Sequence, residues 1–224
     1  MVLSVKADLE GEAAFSLVKR VREIAEAYYP GQWLLAGEGV STCDMRETVV
    51  SDMTKVNLIA IAAVFIVLLF SFKSLSLPVI LVLAIEAGIW VNTAIPYFTN
   101  QSVVYISYLI IFSIQLGATV DYAILFTDRY IEFRRSLQKK QAIVQTVSSV
   151  TVSILTSGLA LTVVGFLMGY ISTHGLLSQL GFFLGRGALL SMGIVLFALP
   201  GMLYLLDGLI ERTTKNAVFV KKGE

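Results

Sequence analysis

Three ionisable residues stand inside otherwise apolar stretches of the chain: Glu86, Asp121 and Arg186. An ionised side chain at membrane depth costs at least about 2.5 kcal/mol, so such groups face a bundle interior or water and either pair or carry protons. Counted from the side where basic residues gather, Glu86 lies about nine residues into its run, roughly 14 Å at 1.5 Å per residue. Arg186 lies about seven residues past Gln179 and reaches a similar depth from the other side. Asp121 sits nearer the basic end. Arg186 is therefore expected to pair with Glu86, which leaves Asp121 without a fixed cation and suits it to take up and release a proton. Gly117, one turn away on the same face, gives it room, while Tyr122 and Thr119 offer hydroxyls on the adjoining face. A hydrogen-bonding structural acid is the alternative for Asp121, and for Glu86 and Arg186 a structural pair stands beside a transport role.

The elements that must carry these groups follow from composition. Apolar residues make up 56% of the chain and charged ones 15%, a balance that points to lipid as the solvent. Five apolar runs are long enough to cross a bilayer: about Val56–Phe72, Leu77–Tyr97, Val103–Phe126, Val147–Tyr170 and Leu180–Leu206. Lys73, the group Arg129 to Lys140, and the group Arg212 to Lys222 follow the first, third and fifth runs, whereas the connections near Thr99–Ser102 and Ser172–Ser178 carry no Lys or Arg. The positive-inside rule then predicts a cytoplasmic C-terminus and an extracytoplasmic N-terminal segment in a multi-pass plasma-membrane protein.

The fold class expected is an all-α polytopic bundle with a small N-terminal α+β segment. Its parts would be residues 1–52 outside, 53–212 as the five-helix domain and 213–224 as a cytoplasmic tail. Val2, Leu3, Val5 and Ala7 read as a strand, Glu12–Tyr29 as an amphipathic helix, and Gln32–Ala36 as a second short strand after Pro30-Gly31. Ser41 and Asp44 resemble a capping box, and no Pro or Gly interrupts Thr42–Phe72, so the N-terminal segment is expected to run into the first span as one helix. No basic start with an apolar core marks a cleavable signal at the beginning. Pro78 suits the entry of the second span, and Pro200 should kink the last or end its regular part. Asp128–Lys140 is either an interfacial helix or a basic loop.

Small residues mark contact faces: Gly117 on the third span, Gly158, Thr162, Gly165 and Gly169 on the fourth, and Gly181, Gly185, Ala188 and Met192 on the fifth. Thr156 and Ser157 add hydroxyls nearby. Cys43 and His174 are the only cysteine and histidine, which excludes an internal disulfide and a cysteine zinc cluster. No phosphate-binding glycine loop, nucleophile with a matching histidine or acidic metal cluster is found, and the net charge of +1 gives no reason to expect nucleic acid. No enzyme activity, metal or cofactor is expected.

The run Leu116-Gly117-Ala118-Thr119-Val120-Asp121-Tyr122-Ala123-Ile124-Leu125 resembles the Asp-Tyr motif of the MMPL branch of the RND superfamily of proton-driven exporters. Phe72-Lys73-Ser74-Leu75-Ser76-Leu77-Pro78, Thr156-Ser157-Gly158 and Gly185-Arg186-Gly187 are similar to bacterial members of that group, and the resemblance covers essentially the whole chain. It implies the C-terminal part of a half-transporter: the end of a porter domain followed by five spans, with Asp121 and Tyr122 in the proton relay. It further implies a hydrophobic, amphipathic or lipid substrate, protons, surrounding membrane lipids, and a second half or a second copy as partner. The leading span, most of the porter domain and the second Asp-Tyr pair of the family pattern are not found. A five-span block is also similar to sterol-sensing domains, which keeps a lipid-binding regulatory module, or a membrane scaffold without transport, as the other reading.

Overall fold

The computed structural model describes residues 11–99, 103 and 105–214, with the side chains of residues 105 and 106 left aside. Two compact units divide the chain, Met1–Lys55 and Val56–Glu224. Helices account for nearly all of the described residues: α1 (Glu12–Tyr28), α2 (Glu38–Phe72), α3 (Ser76–Phe98), α4 (Tyr105–Arg134), α5 (Lys139–Ile171), α6 (Gly175–Gly193), a π-helical turn (Ile194–Ala198) and α7 (Leu199–Thr213). Five helical stretches are long and apolar enough to cross a membrane, the fifth being the continuous run from α6 through α7.

In the N-terminal unit, Phe15 and Val18 of α1 bury against Cys43 of α2, with Leu35 and Val40 alongside. Arg22 pairs with Asp44 and, at 3.6 Å, with Glu47. Gly31, at φ 67, makes the turn after Pro30 that a side chain would strain. The strand expected over Gln32–Ala36 is not there: the segment has no ladder partner among the described residues, and no strand occurs among them. Two short strands are marginal without further strands or a covering layer, so the local pattern does not decide the outcome. The other expected strand, Val2–Ala7, lies outside the described residues. Helix α2 begins at Glu38, ahead of Ser41, so the Ser41–Asp44 pattern falls inside the helix and caps nothing.

The membrane unit is organised around α3, α4, α5 and α6. On α3, Leu77, Leu81, Ile85 and Ile89 recur every four residues and are all essentially buried. Because lipid is as apolar as leucine, close backbone packing has to supply much of the helix association. Helices α5 and α6 achieve it through glycine. A Cβ at Gly165 would stand 2.7 Å from the Gly185 Cα, and one at Gly181 would stand 2.7 Å from the Gly165 carbonyl oxygen and 2.8 Å from the Gly169 Cα. The two backbones therefore touch, and the rings of Phe182 and Phe166 close over Gly169 and Gly185.

Helix α4 continues beyond its apolar run to Arg134, and α5 already begins at Lys139. Asp128–Lys140 is thus neither an interfacial helix nor a long loop. Hydropathy locates the lipid-facing part of a helix, whereas the helix itself continues as long as its polar residues find partners, here an Arg129–Glu132 pair at 2.6 Å. Pro200 is the second residue of α7, and the π turn lies directly ahead of it. The proline ring excludes the carbonyl four residues back, which disturbs the α pattern upstream. Lys73, at φ 48, reverses the chain between α2 and α3, and Ser74 bridges to Thr214 beyond α7.

Candidate proton-relay site

Asp121 lies on an exposed stripe of α4 that also contains Ser113, Ile114, Gly117 and Leu125, spaced by one helical turn. A Cβ added at Gly117 would meet nothing within 4 Å, so Gly117 packs against no helix among the described residues and the space beside the carboxylate is open. Asp121 forms no ion pair among the described residues, and Tyr122 beside it is half-buried. Thr119 points elsewhere. Two residues along a helix is about 200° of rotation, and Thr119, 1% exposed, donates to the Gln115 carbonyl at 2.7 Å and lies 2.6 Å from Ser191 Oγ on α6. Of the three residues singled out for a relay, only Asp121 and Tyr122 stand together. Thr156 and Ser157 on α5 are exposed and donate to the carbonyls of Val152 and Ser153 one turn back.

Glu86 and Arg186, expected to pair, are not within the 4.0 Å of an ion pair. Both Glu86 oxygens are buried without a hydrogen-bond partner, while the Arg186 guanidinium lies 4.9 Å from the ring centroid of Phe183 on its own helix. Helix register accounts for the separation. A Cβ on Gly187, next to Arg186, would stand 2.9 Å from Asn92 Nδ2, so Arg186 is level with Asn92. Glu86 is six residues earlier on α3, about 9 Å along the axis at 1.5 Å per residue. Depth counted from span ends cannot resolve a difference of that size.

Two buried polar clusters escaped the sequence reading. Asn92 Nδ2 donates to Gln115 Oε1 at 2.8 Å and to the Phe183 carbonyl at 3.1 Å, tying α3, α4 and α6 together. Gly187 fits against this amide pair because a Cβ there would also stand 2.9 Å from Gln115 Oε1. Near the basic end, Arg134 donates from Nε to Asp207 Oδ1 and from Nη2 to Asp207 Oδ2, both at 3.0 Å, and Tyr130 donates to Oδ1 at 2.5 Å. The Arg134 and Asp207 side chains are each 6% exposed. An acid seven residues beyond Pro200 amid leucines, and an arginine one turn past a tyrosine, are the signals that the sequence offers for this cluster.

With this geometry in view, the match to known families decides the class. The MMPL family model matches residues 1–218. The chain belongs to the MMPL family. No curated protein matches it. MMPL proteins are RND-type membrane transporters rather than enzymes, and they handle hydrophobic substrates and membrane lipids. This MMPL chain is accordingly a multi-pass membrane protein built for transport. Among its described residues no cluster of His, Cys, Asp and Glu is arranged to hold a metal ion.

Proposed function

We propose that this MMPL chain forms one half of an exporter that moves hydrophobic or amphipathic molecules, lipids included, at the expense of the proton gradient. Asp121 is the proton carrier and Tyr122 its hydroxyl neighbour. The observation that carries the reading is the acid on the open face of α4, within an apolar span and without a cation. A carboxylate on a lipid-exposed face is strongly disfavoured, so this face is covered in the working assembly by a second half or a second copy, which completes a water-accessible relay. The N-terminal unit lies outside the membrane barrier and the C-terminus in the cytoplasm, an orientation supported by the basic connections. A thiol reagent applied to sealed cells should modify a cysteine placed at Ser172 and spare one at Lys139; the reverse pattern would invert the topology.

The test of proton coupling uses the chain assembled with its partner half in vesicles under an imposed pH gradient. Asp121→Asn retains size and hydrogen bonding and removes the titratable proton. It should abolish gradient-driven flux while the protein still inserts, and Tyr122→Phe should slow flux more mildly because water can replace the hydroxyl. Normal flux in the Asn variant would return the five-helix block to a lipid-sensing or scaffolding role.

A further inference from the structure

Glu86 belongs neither to the proposed relay nor to the Arg134 cluster, and its surroundings are those of a neutral group. It is 7% exposed on α3, between the buried Ile85 and Ile89. Both carboxyl oxygens are buried with no hydrogen-bond partner. Trp90, one turn along the helix, is a neutral neighbour of the carboxyl and brings no counter-charge.

The elements packed most extensively against α3 are α4, α6, the π turn and α7. The π turn, Ile194–Ala198, carries no titratable side chain. From α6 comes Arg186, whose guanidinium lies over Phe183. From α4 come Asp121 and Tyr122 on or beside the open face, and Tyr130 and Arg134, which are joined to Asp207 of α7. None forms an ion pair with Glu86. A carboxylate so placed would lose its hydration and gain no counter-charge, whereas the protonated acid loses far less on burial.

We infer that Glu86 is a second proton-binding site of the bundle, distinct from Asp121, and that it holds its proton as the neutral acid for as long as its carboxyl stays buried. Release requires water to reach it: the O–H bond breaks, the proton passes to that water, and the carboxylate stays behind hydrated.

Infrared spectroscopy of the assembled protein in lipid bilayers at neutral pH tests the assignment without any transport assay, and so separates it from the Asp121 reading. The difference between wild type and Glu86→Gln should contain the carbonyl stretch of a protonated carboxylic acid and no lost carboxylate bands. The same acid band should persist in an Asp121→Asn background. Carbon-13 labelling of glutamate in the otherwise unmodified protein should shift that band, which keeps the test valid if the Gln variant assembles poorly. Loss of carboxylate bands on replacing Glu86, an acid band that does not respond to labelled glutamate, or its disappearance with Asp121→Asn would each overturn the proposal.

Discussion

Asp121 and Asp207 are the same side chain in two settings, one on the open stripe of α4 and one enclosed between α4 and α7. Asp207 receives two hydrogen bonds from Arg134 and a third from Tyr130, which satisfies both oxygens and balances its charge. Asp121 has open space, an adjacent tyrosine and no ion-pair partner among the described residues. The first arrangement holds a charge in place and fastens two helices. The second leaves a carboxyl with no counter-charge among the described residues, as the proposed proton carrier requires. Proximity to an apolar span thus says little about an acid's task; the partners within about 4 Å say much more.

The largest effect expected from this contrast is on stability. Arg134→Ala strands the buried Asp207 carboxylate and should destabilise the bundle by about 3–5 kcal/mol, measured by unfolding in lipid or mild detergent. The double replacement Arg134→Met with Asp207→Leu should cost less than Arg134→Ala alone, because no buried charge is left unpaired. A double variant less stable than the single one would mean that the cluster acts through something other than its charge balance.

Glycines sharpen the same comparison at smaller amplitude. Gly181→Ala places a methyl group against the backbone of α5, which cannot move aside as a side chain would, and should cost about 1–3 kcal/mol. Gly117→Ala, beside Asp121, meets open space and should stay within about 0.5 kcal/mol of wild type in the isolated chain. Similar losses for the two would show that the face around Asp121 is already covered by packing.

The helical framework was legible because it depends on local runs and periods. Long apolar stretches gave five membrane helices, and α1 ends within one residue of the pattern from Glu12 to Tyr29. What depends on partners distant in sequence was harder to read. Gln32–Ala36 has strand composition and no ladder, and α4 outran its hydropathy because Arg134 found Asp207 far along the chain. Within the site, Asp121 and Tyr122 are neighbours in sequence and needed only a helix to stand together. Thr119 is just as near, yet it turns toward Ser191 on α6. The separation of Glu86 from Arg186 is a matter of register between α3 and α6, set by Gly187 fitting beneath Asn92 and Gln115, and no single-helix pattern encodes it.

The central claim is that Asp121 carries protons while Asp207 carries structure, and one paired measurement addresses it directly. Asp121→Asn and Asp207→Asn are each assembled with the partner half in vesicles, and unfolding stability and pH-gradient-driven flux are read on the same preparations. The account predicts wild-type stability with no flux for Asp121→Asn, and lowered stability for Asp207→Asn with gradient-driven flux retained by the protein that remains folded. Undiminished gradient-driven flux in a folded Asp121→Asn protein would contradict it.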